Sequence, residues 1–570
     1  MLKRSWMSTV VVLALAHGAA TAQTASNVFE SPVPPTPASQ IDNLVFAKLS
    51  SLGIQPVLCS DAVFVRRAYL DVIGTLPTAQ EAREFIQDPD TKNKRHALID
   101  RLLARDEFAD YWAMKWGDLL RIKAEFPVNL WPDAAQAYHR WVRTSIAEKK
   151  PYDKFVRDLL TSSGSNFRVG PVNFYRAVQN RTPEGITAAV ALTFMGSRVE
   201  SWPKERLSGM TAFFSQVGYK PTSEWKEEIV FWDPLRFSAV AANSAPGRAS
   251  LTGPPKPADK APPEAPAAPV QSVPREAVFP DGTKIQLPPD RDPREIFADW
   301  LISPKNPWFA RNIVNRVWSW LLGRGIIHEP DDIREGNPPS NPALLAYLEK
   351  EFVASGYDMK RLYRLILTSS TYQFSSVPRF TGLQAEANFA SYPLRRLDAE
   401  VLIDAINKIT GASDLYTSAI PEPFTYIPRD KPAIALADGS ISSAFLTLFG
   451  RSARATGMEN ERINKPVPAQ SLHMLNSSHI QQKLEKGPKL KAILGSGRKP
   501  DEIIEDLYLT ILSRRPTPDE LQTLREYGTP VTPKAAPSGE SAKPLPARTS
   551  ADWVDIAWAL INTNEFLYRH

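Results

Sequence analysis

From Ile41 onward, apolar residues return every three or four positions, the spacing that gives a helix one apolar face. Leu98, Ile99, Leu102 and Leu103 mark one such face. Trp112, Trp116 and Leu119 fall at i, i+4 and i+7 on another, and their rings are expected in the core. Start signals agree with this periodicity. Thr78 and Glu81 form a capping box ahead of Phe85 and Ile86, and Pro151-Tyr152-Asp153 opens a helix with Phe155, Leu159 and Leu160. Further on, Asp292, Pro293 and Glu295 combine an N-cap, a first-turn proline and a capping-box acid. Asn341-Pro342 opens a helix through Leu344, Leu345 and Leu348, and Asp358 precedes one with Leu362, Leu365 and Ile366. Asp398 leads a helix that Gly411 should stop. Ile504, Leu507, Tyr508 and Ile511 mark another, and Thr517-Pro518-Asp519-Glu520 starts one more. The last is expected over 552–567, with Trp553, Ile556 and Leu560 inward. Only 278–287 reads as a strand pair, a hairpin turning at Asp281-Gly282.

Two stretches lack this periodicity. Residues 245–275 are a Pro/Ala tract, read as a semi-rigid linker, and 529–549 are rich in Pro, Lys and Ala, read as an insertion. Residues 23–40 read as a flexible lead-in. The expected fold is mainly α: a helical domain at 41–244 and a second at 276–570, joined by the linker. No internal repeat is present.

The N-terminus reads as an export signal. Lys3 and Arg4 precede the apolar run 10–16, and Ala20-Thr21-Ala22 is an A-x-A cleavage site, so residues 1–22 would be removed. The expected location is periplasmic or extracellular. The apolar run is too short to span a membrane, and no later segment has the roughly 18 unbroken apolar residues that a span needs. Cys59 is the single cysteine, which rules out an intramolecular disulfide and any cysteine cage for zinc or iron–sulfur within one chain. Cys59 is expected to be a small buried apolar residue. The formal net charge of +6 is dispersed, with no dense Lys/Arg tract, so a nucleic-acid partner is not expected.

Several blocks carry a resemblance. One is 64–77, with Arg66, Arg67, Tyr69 and Asp71. Others are 306–318, with Asn312, Asn315, Arg316 and Trp318, then 322–327, Asp331-Asp332, 368–373 and 470–476. The chain resembles the paired domains of unknown function fifteen-forty-nine and fifteen-fifty-three, also called the planctomycete cytochrome-C-like second domain and the planctomycete-specific first domain. The resemblance implies a secreted, largely helical protein without an established activity, whose neighbours include sulfatase-like or cytochrome-type exported proteins. It also implies a Cys-x-x-Cys-His run, the attachment signal for c-type haem, between Arg198 and Trp202. Only Val199, Glu200 and Ser201 stand there. A second family segment with two cysteines reads Met458, Glu459, Asn460, Glu461 and Arg462 in this chain. The joint loss implies that the two segments once served one cofactor, and that this chain has lost it. No cofactor and no covalent haem are therefore expected.

Six histidines follow the signal: His96, His139, His328, His473, His479 and His570. None has a metal-binding spacing, and His473 and His479, six apart, do not share a helix face. No metal site is expected. The carboxylates are the better chemical candidates. Asp331 and Asp332 lie in a loop after Gly325, beside Glu329, and Glu459 and Glu461 lie in the cysteine-depleted segment. Paired carboxylates serve glycoside hydrolysis at separations of about 5–9.5 Å. They also bind Ca²⁺. The plainer alternative has Asp331 and Asp332 capping a helix and pairing with Arg316 or Arg324, with Asn312, Asn315 and Arg316 holding a buried junction. No nucleophile elbow or phosphate-cradling loop appears. Three functional readings follow: a haem-less scaffold or binding partner of other exported proteins, a carboxylate-based extracellular hydrolase acting on a polymer, and a redox protein with a non-covalent cofactor. Clustering of the carboxylates in one cleft would favour the second, and arginine-paired dispersal the first.

Overall fold

Local start and stop signals set the helices of the computed structural model, which describes residues 27–235, 275–425, 427, 429–527 and 548–570. The expected capping box at Thr78/Glu81 forms, and the expected helix start at Thr517 is also a capping box, closed by Glu520. Gly411 ends the Ala399–Thr410 helix at φ +74°, a left-handed conformation that glycine adopts without strain. Asp292 caps the Pro293–Leu301 helix through the Arg294 N–H, but the expected box does not close, because Glu295 pairs with Arg291 at 3.6 Å. The last helix is two: Ser550–Ile561 ends near Asn562, and Thr563 caps a fresh turn, Asn564–Leu567. Trp553, Ile556 and Leu560 face inward as expected.

The fold is mainly α with small antiparallel sheets. The expected hairpin pairs Glu276–Val278 with Lys284–Gln286 around Gly282, at φ +90°. It is not the single strand pair. Gly164–Ser165, Glu228–Trp232 and Val217–Pro221 form a three-stranded sheet, and Arg395–Arg396 pairs with Tyr568–Arg569. These segments are two to five residues long, too short for an alternating pattern to stand out in sequence. No helix among the described residues is long and apolar enough to cross a membrane.

The expected signal at 1–22 lies outside the described residues, as do the linker apart from Arg275 and the insertion apart from Arg548 and Thr549. The described part of the lead-in is anchored: the Ser31 N–H donates to the Leu58 carbonyl at 2.9 Å, and Glu30 pairs with Arg379 at 2.6 Å.

Helices from both sides of 245–275 contribute to one cluster of buried side chains. The Asp61–Val72 helix (α1) supplies the clearest tie. Arg66 is buried and donates to the carbonyls of Ile511 at 2.8 Å and Phe566 at 2.9 Å. Arg67 donates to the carbonyls of His570, Tyr372 and Phe374, each at 2.8 Å. Arginine suits this role because its fork of donors can satisfy several buried carbonyls at once. A boundary drawn at 245–275 therefore divides the chain without dividing the core. Trp112, Trp116 and Leu119, on the Asp106–Leu119 helix (α2), are buried, and so is Cys59.

Candidate functional site

The centre of the candidate site is the Phe309–Leu322 helix (α3), whose polar stripe is buried. Asn312, Arg316 and Trp320 recur at i, i+4 and i+8 and so share one face. Asn312 donates to the Thr193 carbonyl at 2.9 Å. Asn315 clamps the following loop by donating to the Ile327 carbonyl at 2.9 Å and accepting the Ile327 N–H at 2.8 Å. Arg316 is fully buried, and its Nη2 donates to Asp331 Oδ1 at 2.6 Å. Trp320 Nε1 donates to Glu459 Oε2 at 2.9 Å.

The four candidate carboxylates do not gather into one cleft. Asp331 and Glu459 meet around Arg316. The second oxygen of Asp331 accepts the Glu459 N–H at 2.8 Å, and Glu459 Oε2 lies 3.6 Å from Arg316 Nη1. Asp332 turns away to pair with Arg334 at 2.9 Å, not with Arg316 or Arg324. Glu461 is taken up by its own segment, accepting the N–H groups of Ala455 at 3.1 Å and Thr456 at 2.6 Å. Glu329 pairs with Arg198 at 3.5 Å. Burial pushes the Glu459 carboxyl above its ordinary value, although Arg316 and Lys115 oppose the shift. Its side chain keeps 36% of its surface exposed, the most open of the group around Arg316. Glu459 lines a small pocket with Lys115, Asp118, Trp320, Met458 and Arg462.

The two segments where the resemblance places cysteines are single 3₁₀ turns, Val199–Ser201 and Glu459–Glu461, and the 329–333 loop bonds to the chain just before the first and to the start of the second. Gly196 accepts the Ile333 N–H at 2.8 Å on one side, and Asp331 accepts the Glu459 N–H on the other. Gly196 is required for this approach. Its φ is +60°, and a Cβ there would lie 2.6 Å from Asn312 Oδ1 and 2.9 Å from the Pro330 carbonyl.

Behind this junction lies a larger network. Arg462 donates to Asp118 at 2.6 Å and to Glu400 at 2.6 Å, and lies 3.8 Å from Asp398. Asp118 also accepts from Arg454 at 2.9 Å, and Glu400 from Arg451 at 3.2 Å. Asp398 accepts from Lys115 and from Arg569, each at 2.9 Å. Arg569 continues to Asp71 at 3.4 Å, where Tyr372 and Tyr392 donate at 2.9 and 2.7 Å. Burial alone would raise the Asp398 carboxyl, but Lys115, Arg569 and Arg462 hold it well below its ordinary value. The Arg462 and Arg454 guanidiniums likewise outweigh burial at Asp118, as do Arg462 and Arg451 at Glu400. Sequence reasoning missed Asp118, Asp398, Glu400 and Arg569. The available signal was Arg462, which follows Glu461 in a segment the sequence analysis singled out.

Fold and site together define a mainly helical protein with an arginine–carboxylate network at its centre. The chain carries the paired modules that its sequence resembles. Residues 40–206 match the family model PSCyt2, described as a protein of unknown function (DUF1549), and residues 293–528 match PSD1, described as a protein of unknown function (DUF1553). The chain belongs to this two-module family. No curated protein and no solved structure matches it. Arg66, Arg67, Arg316, Asp331 and Arg462 all fall within the matched segments.

Proposed function

We propose that the protein is an exported, haem-less scaffold or binding partner of other exported proteins. The observation that carries this reading is the fate of the carboxylates. Asp331 is held by Arg316 and a backbone N–H, Asp332 by Arg334, and Glu461 by two backbone N–H groups. A general base or nucleophile must be placed to meet substrate, and these three carboxylates are turned to partners within their own chain. The single cysteine also leaves no Cys-x-x-Cys-His run for thioether attachment of haem. The export part of the proposal rests on Lys3, Arg4, the apolar run 10–16 and the Ala20-Thr21-Ala22 site.

The test is chemical cross-linking in the native cell, followed by mass spectrometry of the adducts. The reading expects the mature chain, beginning at Gln23, cross-linked to a small and reproducible set of exported proteins. A cytoplasmic chain, or an exported chain with no reproducible neighbour, would overturn it.

One observation favours a second reading. Glu459 is partly exposed, has its carboxyl shifted upward and lines a pocket with Asp118. A carboxyl whose proton is held more tightly than usual is the kind of group that serves as a general acid. The hydrolase reading therefore rests on Glu459 alone among the four candidates.

A further inference from the structure

A second cluster of chemistry lies away from Arg316, on the Pro468–Asn476 and Ser478–Lys486 helices. The chain breaks between them at Ser477, in an extended conformation whose side chain caps the second helix. This break lets two histidines six positions apart face each other. His473 Nε2 lies 3.4 Å from His479 Nδ1. On the far side of the His479 ring, Nε2 lies 2.8 Å from Asp414 Oδ1. Lys483 Nζ is 3.5 Å from the same oxygen. The Phe445 ring packs edge-on against both imidazoles, with centroids 5.6 Å from His473 and 6.0 Å from His479.

We infer that His473 Nε2 and His479 Nδ1 form a two-ligand site for a divalent metal ion of the zinc class. Two metal–nitrogen bonds of about 2.0–2.1 Å at a tetrahedral angle place their nitrogens about 3.3–3.4 Å apart. The two nitrogens share a long hydrogen bond of 3.4 Å, a separation that matches that span, so a metal ion would take the place of the shared proton. The Asp414 carboxylate can accept only a proton-bearing nitrogen, so it fixes the His479 proton on Nε2 and leaves a lone pair on Nδ1, facing His473. A carboxylate behind a ligating imidazole is the usual outer partner of a metal-bound histidine. Imidazole nitrogen suits zinc, copper and nickel. Among the described residues, no group of three or more His, Cys, Asp or Glu side chains is placed to hold a metal. Solvent or a small anion must therefore complete the sphere. The two histidines line a groove of about 580 Å³ with Leu415, Phe445 and Lys486, which gives such a ligand room and a cationic wall.

The test is titration of Zn²⁺ into the untagged, full-length protein by calorimetry, with the Co²⁺ absorption spectrum as a second readout. One saturable site per chain is expected, with the d–d bands of four-coordinate Co²⁺. His473→Ala and His479→Ala should each abolish it. Asp414→Asn, which keeps the shape but loses the carboxylate, should weaken it about 10- to 100-fold. His96→Gln, outside the cluster, should leave it unchanged. Circular dichroism of each variant separates loss of metal from loss of fold. Absence of a saturable site in the wild-type protein, or binding that survives both histidine substitutions, would overturn the inference.

Discussion

Replacing Arg462 with Met tests whether the arginine–carboxylate network holds the two modules together. The substitution keeps an unbranched apolar side chain and removes the cation. Arg462 is the shared partner of Asp118 and Glu400, at 2.6 Å each, and lies 3.8 Å from Asp398. Removing one partner of a buried pair costs about 3–5 kcal/mol. The lower end applies here, because Arg454, Arg451, Lys115 and Arg569 remain beside the three carboxylates. Unfolding entropy of about 2.1 cal/mol/K per residue gives about 1.2 kcal/mol/K for a cooperatively melting chain of this length, so the midpoint should fall by about 3 °C. Scanning calorimetry at neutral pH reads this directly. The pH dependence gives a second arm. Asp118, Asp398 and Glu400 are all held below their ordinary values. A lowered carboxyl stabilises the fold above its unfolded value, and this contribution is lost as pH falls through the folded value. The deficit of Arg462→Met should therefore be full at pH 7 and shrink below about pH 4, the range of unfolded carboxyls. A midpoint within 1 °C of wild type at pH 7, or a deficit that grows in acid, would refute the reasoning.

Three further outcomes are expected. Asp331→Ala should destabilise by about 3–5 kcal/mol because it strips the closest partner from a fully buried Arg316, whereas Asp332→Ala, which breaks a more exposed pair with Arg334, should cost about 0–1 kcal/mol; parallel denaturant titrations compare them. Gly196→Ala should cost about 1–3 kcal/mol, the cost of a non-glycine residue at a positive φ in a crowded site, and loosening of the 329–333 loop should appear as faster amide exchange at Ile333. Arg66→Met should leave the Ile511 and Phe566 carbonyls without their buried donor and raise proteolytic susceptibility at the C-terminal end, read by limited proteolysis.

What the sequence carried well was local. Caps act over three residues and apolar stripes over four, so Thr78/Glu81, Thr517/Glu520, Gly411 and the Trp112–Trp116 face were all readable from neighbours in the chain. The network was not, because its partners are remote: Asp118 meets Arg454 336 positions away, and Arg66 meets the Ile511 carbonyl 445 positions away. Nothing in a local pattern says which arginine a given aspartate will find. This is why Asp331 and Asp332, adjacent in sequence, take different partners, and why Arg324 takes neither. The meeting of His473 and His479 was out of reach for a related reason. Six residues is the wrong spacing for one helix face, but the break at Ser477 makes two helices. The single shared core was also hidden, since a Pro/Ala tract marks a connection without saying whether the segments it joins pack together. The lead-in shows the same limit: proline-rich composition did not announce the bridge between Glu30 and Cys59.

The proposed scaffold role gives the carboxylates around Arg316 a structural task, and the Glu459 hydrolase reading is its direct rival. The most direct measurement is release of reducing ends from a panel of neutral and sulfated polysaccharides by the purified mature protein, beside Glu459→Gln, between pH 4 and 8. The account predicts no release above the blank for either protein. Release by wild type that Glu459→Gln abolishes while remaining folded would contradict it and make Glu459 the acid of an extracellular hydrolase.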